Sequence, residues 1–249
     1  MPYEQHPHVI TPPDDTTLWR YMELARFLQL IDGRHLWFSR TDKFNDPLEG
    51  TLTDGEFFYE PETPDEPPVF REATADPLAQ ITRHTTYVNC WRMGGNESIA
   101  MWDLYGKGTG VVAVTTTVGL LKRQLESDHR SVYIAEVQYV DWQAPNVIRG
   151  MFDLITRKDI SYQHEVEARL FFWNTAGIQA EGIYRPDEIP PGFTFGIDPQ
   201  EALTQIWISP REHPSMKPLI EGLIARYGLQ IPIKLSNRLS TRRQVHPRS

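Results

Sequence analysis

Apolar positions along the chain alternate between two periods. "TTLWRY" (16–21) reads as a short strand, and "MELARFLQLID" (22–32) places Met22, Leu24, Ala25, Phe27, Leu28 and Ile31 at helical spacing. Gly33 follows as a helix stop, and "HLWFS" (35–39) reads as a second strand. Asn45 and Asp46 ahead of Pro47 predict a helix N-terminus. Residues 59–77 are rich in proline and acid and predict a loop or insertion outside the core. Downstream, the pattern predicts helices over 78–84, 96–106 (capped by Asn96), 118–127, 152–159 and 213–228. Strands fall at 86–91, 110–117, 132–142, 165–173, within "QIWIS" and at 231–236. The order predicts one α+β domain over residues 17–236, with a mixed, mostly antiparallel sheet flanked by helices. A flexible leader (1–16) and a basic tail (237–249) bracket it, and neither an internal repeat nor a domain-length linker interrupts it.

Composition narrows the class. The chain has 249 residues, 40% of them apolar, including seven Trp, which is enough for a sizeable core. No apolar run reaches the length of a membrane span, and the N-terminus lacks a secretory signal pattern. Cys90 is the one cysteine, which excludes an intrachain disulfide and any multi-cysteine metal site. A cytoplasmic protein that engages no membrane is the simplest reading. The net charge of −8 is uneven: residues 42–76 hold eleven acids against Lys43 and Arg71, whereas residues 210–249 hold eight Lys/Arg against Glu212 and Glu221. An acidic body does not favour nucleic acid as a general partner, and the tail reads first as a solvated terminus.

Familiar catalytic motifs are weak or missing. "GKGTG" (106–110) leads into a strand, whereas phosphate-binding loops lead into a helix. "HEVEA" (164–168) has Ala168 where a zinc-binding helix needs its second His, so no metal is predicted. Cys90 lies in an apolar strand and reads as a structural thiol. What remains is a set of charged residues among aromatics. Arg20 lies between Trp19 and Tyr21, and Arg40 closes the second strand. Trp102 and Tyr105 share a helical face, and Glu165, Glu167 and Arg169 share one face of a strand if that strand is regular. Each also has a structural explanation: ion pairs, a cap at Asp46, a first-turn helix charge at Glu49 and core packing for the aromatics.

In their order, "LWRYM", "FSRTDKFNDPLEG", "YVNCW", "ESIAMWDLYG", "GVVAV", "VYIAEVQYVDW" and "YQHEVEARL" resemble the bacterial domain of unknown function family 2971 over about residues 17–236. One position departs from that pattern, Arg92 after Cys-Trp. The layout is also similar to ADP-ribosyltransferases, where a strand arginine holds a phosphate of NAD and a late Glu-x-Glu serves the reaction. That resemblance implies NAD as a possible substrate, with Arg20 binding it, Glu165 and Glu167 as catalytic residues, and Tyr21, Arg40, Trp102, Tyr105 and Arg169 as further ligand contacts. It also implies a toxin or anti-phage defence role, with an unknown macromolecular target. Two alternatives stand beside it: a non-catalytic module binding a small anionic ligand or nucleotide, and a nuclease holding Mg²⁺ with Asp46, Glu49 and Glu165. The enzyme reading expects Arg20 and the two carboxylates to face one cleft.

Overall fold

A computed structural model describes residues 3–46, 48–51, 56–59, 69–72, 77–106, 110–126, 128–144, 148, 150–175 and 185–239. Strand β1 (Thr17–Glu23) runs into helix α1 (Leu24–Gly33) and returns as β2 (His35–Arg40). Strands β3 (Glu56–Tyr59) and β4 (Val69–Glu72) pair only with each other. Helix α2 (Pro77–Thr85), strand β5 (Thr86–Met93), helix α3 (Ile99–Tyr105), strand β6 (Val111–Thr117) and helix α4 (Val118–Leu125) follow. Next come β7 (Tyr133–Glu136), β8 (Gln138–Val140), α5 (Met151–Thr156) and β9 (Arg157–Asp159). A 3-10 turn (Ile160–Glu165) leads into β10 (Glu167–Trp173). The described chain closes with β11 (Gly192–Gly196), α6 (Pro199–Ala202), β12 (Gln205–Ile208), α7 (Met216–Arg226) and β13 (Ile233–Leu235).

Nine strands form one mixed sheet. Its order is β11-β2-β5-β1-β6-β12-β13, with β10 on the other edge of β5 and β7 beyond β10. All its pairings are antiparallel except β12 with β13. Strand β5 is the hub. Along one edge it pairs with β10 from Thr86 to Arg92. Along the other it meets β2 only at Tyr87 and Val88, and β1 only at Arg92 and Met93. Between those contacts, at Asn89, Cys90 and Trp91, the sheet forks. The Asn89 amide crosses the fork to donate to the Trp37 carbonyl at 2.8 Å.

Alternation along the strands separates the two faces. Tyr87 and Trp91 of β5, Leu18 and Met22 of β1, and Ala168, Leu170 and Phe172 of β10 join the main core, with Phe27, Leu30 and Ile31 of α1. Two smaller clusters occupy the opposite face. One gathers Trp19, Tyr21, Met101, Trp102, Val111 and Ala113 beneath α3; the other gathers Val9, Val88, Ala135, Ile155 and Phe171 beneath α5 and the N-terminal segment. A strip of β5 and β10 bearing Cys90, Arg92, Glu167 and Arg169 runs between these clusters.

Several boundaries differ from the sequence expectation, each for a local reason. The left-handed residue ending α1 is Arg34 (φ 48), not Gly33. Gly33 leaves room for the His35 ring, whose Nδ1 contacts the Gly33 carbonyl oxygen at 2.9 Å. Ser98, not Asn96, caps α3 by accepting from the Met101 N–H. No helix follows Asp46 in the described residues 48–51; its Oδ1 accepts from the Leu48 N–H in a turn. Within 59–77, the described part includes β4 and one end of β3 rather than loop alone, and the rest lies outside the described residues. The strand expected at 132–142 breaks at Val137, whose N–H turns to the Glu167 carbonyl (2.9 Å), and β8 leaves to pair with β9. The segment expected to be a flexible leader is docked along β7. Glu4 donates to the Val132 carbonyl, Glu136 donates to the Ile10 carbonyl, and Val9 is buried. Of the basic tail, only residues 237–239 are described, and Arg238 there pairs with Glu97 at 3.3 Å.

Phe172 is the densest aromatic contact of the main core. It stacks on Tyr87 at 5.2 Å and meets Phe38, Phe193 and Phe195 edge-on. Arg130 covers this group, with its guanidinium 3.6 Å from the Phe195 ring centroid. Phe172→Ala is expected to cost about 3–5 kcal/mol of unfolding free energy, measured by urea titration; a loss near zero would mean that the cluster packs differently.

Candidate active site

The strip between the two smaller clusters holds a buried network of ion pairs. Arg169 is 1% exposed and sits on β10 directly opposite Cys90. Its Nε donates to Glu167 Oε1 at 2.9 Å and its Nη2 to Glu167 Oε2 at 3.0 Å. Nη2 also donates to Glu49, and Nη1 donates to the Ile155 carbonyl at 2.6 Å. Lys158 of β9 closes the network: its Nζ lies 2.6 Å from Glu165 Oε2 and 3.5 Å from Glu167 Oε2.

These groups hold very different protons. Burial alone would raise the Glu167 carboxyl; the Arg169 charge and hydrogen bonds, followed by Lys158 and the Cys90 thiol, outweigh it and hold Glu167 at about 2. Glu49 moves the other way. Burial raises it, and Arg169, already engaged by both Glu167 oxygens, compensates Glu49 only in part. Burial also pushes the Cys90 thiol well up, with the nearby Glu167 carboxylate adding to it, so Cys90 stays a thiol.

Arg20 stands elsewhere. Pairing places Arg20 opposite Val114 and between Leu18 and Met22, on the main-core face, while Glu167 lies opposite Arg92 on the other face. Arg20 and Glu167, expected to face one cleft, lie on opposite faces of the sheet, because alternation in β1 turns Arg20 to the main-core side. The Arg20 guanidinium is half-buried and 5.8 Å from the Trp91 ring centroid. Burial lowers the Arg20 guanidinium, and the like charge of Arg26 adds to the lowering. Among the described residues, Arg20 has neither a hydrogen-bond nor an ion-pair partner.

The other expected site residues divide sharply. Arg40 is 4% exposed and bonded to Asp42 and to the Ile189 carbonyl, so it ties β2 to the segment before β11 rather than facing a ligand. Tyr21 is buried; its hydroxyl accepts from the Ser98 N–H at 2.8 Å and its ring meets Trp102 edge-on at 4.8 Å. Trp102 is 1% exposed, its indole N–H donating to Glu97 at 2.9 Å, so both rings are core. Arg169 is enclosed and cannot reach a ligand as an open cation. Tyr105 is 45% exposed at the end of α3 and remains available as a contact surface. Glu165 ends the 3-10 turn instead of lying in the strand, so the shared strand face expected for Glu165, Glu167 and Arg169 holds only for the last two. Glu49 is a buried ion-pair partner, not a helix-terminal charge. Glu49 and Glu165 are each engaged by a protein cation, and no group of three or more His, Cys, Asp or Glu among the described residues is placed to hold a metal ion. Lys158 was invisible to sequence reasoning. It sits in a stretch patterned as helix, and its partners are brought to it only by the following turn.

No known protein-family profile matches the chain, and no curated protein does. Three solved structures of Thermus sp. 2.9 DarT are similar in fold. The complex with NAD+ has a TM-score of 0.42 and 7% identity, covering 91% of this chain and 98% of that one. The complex with ADP-ribosylated ssDNA has 0.42 and 5%, covering 92% and 97%. The complex with carba-NAD+ has 0.38 and 9%, covering 90% and 96%. Likeness at this level transfers no residue role and no ligand. By its own topology, the chain is an α+β domain with a mixed, mostly antiparallel sheet flanked by helices. Among the described residues, no helix is long and apolar enough to cross a membrane.

Arg169→Met removes the cation shared by two buried carboxylates and is expected to cost about 3–5 kcal/mol in a urea titration; a smaller loss than a surface arginine gives would refute the shared-cation reading. The depressed Glu167 carboxyl contributes stability that is fully present above its ordinary value of 4.5 and is lost as pH falls toward about 2. Urea midpoints of the unaltered chain should therefore fall across that acidic window, and Glu167→Gln should flatten the slope there.

Proposed function

We propose that this chain is an ADP-ribosyltransferase-like enzyme that uses NAD as its substrate. One observation carries the reading: Arg20, a half-buried guanidinium beside the Trp91 ring, has neither a hydrogen-bond nor an ion-pair partner among the described residues. An unpartnered, partly desolvated guanidinium suits a phosphate, which it binds through paired N–H donors. The exposed Tyr105 ring offers an aromatic surface for a planar base or nicotinamide.

The chemistry follows from charge. In NAD cleavage the bond between the ribose C1′ and the nicotinamide nitrogen breaks, and its electron pair leaves with the nicotinamide, which becomes neutral. Positive charge develops on the ribose, and a fixed carboxylate stabilises it. In this reading Glu167, 5% exposed and paired with Arg169 and Lys158, supplies that fixed charge from within the strip and not as an open contact. Held at about 2, it is ionised at neutral pH and is a poor proton acceptor. The acceptor hydroxyl or amide then bonds to C1′ and gives its proton to water. An acidic surface disfavours long duplexes but places no limit on a single strand or a peptide reaching the fork, so the acceptor class is left to experiment. The ordered motifs resembling family 2971, and a toxin or defence setting, belong to this same proposal.

Purified chain incubated with NAD should release nicotinamide and add an ADP-ribosyl mass to itself, to a protein mixture or to a single-stranded oligonucleotide. Glu167→Gln should lower kcat by about 100-fold or more with little change in KM. Arg20→Ala should mainly raise KM. If NAD binds in an Arg20-dependent way but is never cleaved, the module that binds a small anionic ligand is the correct reading. If NAD neither binds nor reacts, the proposal falls.

A further inference from the structure

Lys158 is 7% exposed, and three groups surround its ammonium: Glu165 Oε2 at 2.6 Å, Glu167 Oε2 at 3.5 Å and the Tyr162 ring centroid at 4.5 Å. The chain bends sharply to make this contact. Asp159 Oδ1 accepts from the Ser161 N–H at 3.0 Å and opens the 3-10 turn; Val166 ends it at φ 44 and ψ 57. A β-branched residue in the left-handed region is strained, and such strain persists only where the surroundings enforce it. The surroundings here are explicit. The Met93 N–H donates to the Val166 carbonyl at 2.8 Å, and the Glu167 N–H donates to the Tyr139 hydroxyl at 2.8 Å. The turn carries Lys158 back over the start of β10.

We infer that Lys158 is a positioning residue for Glu167, and that Glu165 acts by holding Lys158 rather than by touching the substrate. This rests on the reading of Glu167 as the reaction's carboxylate. Arg169 fixes Glu167 from within β10, and Lys158 fixes its Oε2 from β9, so the carboxylate is clamped by cations from two elements. Glu165, with its Lys158 contact at 2.6 Å, anchors the outer clamp. The remaining charged or titratable groups around Glu167 are Cys90 and Arg92 on β5, Glu49 from the turn after β2, Tyr139 on β8, Tyr162 in the 3-10 turn and Tyr105 on α3. None of these supplies a salt bridge to Glu167 among the described residues; Lys158 and Arg169 do.

The test follows the Glu167 carboxyl carbon by carbon-13 NMR in glutamate-labelled chain, across the acidic range where tryptophan fluorescence shows it folded. Glu167→Gln assigns the signal. In the unaltered chain the signal should stay that of an ionised carboxylate. Lys158→Met should bring protonation into the folded range, Lys158→Arg should restore the original behaviour, and Glu165→Gln should shift it in the same direction but less. If Lys158→Met leaves the titration unchanged, the inference is overturned whether or not NAD is cleaved. In the NAD assay, the acid limb of kcat should move up in pH with Lys158→Met and return with Lys158→Arg. Glu165→Gln should retain at least about a tenth of kcat, against a loss of about 100-fold or more for Glu167→Gln. Equal losses for the two glutamates would overturn the positioning role of Glu165. An inactive chain in which the titration still shifts would sink the enzymatic reading and leave the clamp standing.

Discussion

One guanidinium holds two carboxylates in the interior, and the architecture around it depends on that bond set. Arg169 joins β10 to the turn carrying Glu49 and, through the Ile155 carbonyl, to α5. Taking three charges out of water is expensive, and the arrangement survives because each charge meets an opposite one at hydrogen-bonding distance. Removing a partner would leave an uncompensated charge in a dry place. The network therefore specifies one packing of α5 and the Glu49 turn on the sheet, where an apolar contact would tolerate several.

The second constraint is the divided edge of β5. A strand has two edges, and this one serves three neighbours. The division leaves a short opening at Asn89, Cys90 and Trp91. Arg20, a half-buried cation with no ion-pair partner among the described residues, lies beside Trp91 there.

The two smaller apolar clusters make this geometry rigid. Trp19, Tyr21 and Trp102 lock α3 over β1 and β6; Val88, Ala135, Ile155 and Phe171 lock α5 over β5, β7 and β10. Tyr105, at the C-terminal end of α3, has nearly half its surface open. Packing on both sides and charge along the strip divide the labour: the aromatics fix distance, and the ion pairs fix orientation.

The sequence by itself determined the elements with strong local signals: a helix after the first strand, expected from Met22 and observed from Leu24, the β5 strand, the run "LFFW" and the α+β class. Those follow from periodicity and from turn chemistry, which act within a few residues. It did not determine which way Arg20 faces relative to Glu167, because that depends on strand register across three strands. Nor did it show that Glu165 leaves the strand, because the left-handed bend at Val166 is forced by bonds to Met93 and Tyr139, far away along the chain. Charged side chains carry no periodic mark of their partners. Arg40 and Arg169 look alike as letters beside Arg20, and only tertiary packing makes the first two internal ties and leaves the third without one among the described residues.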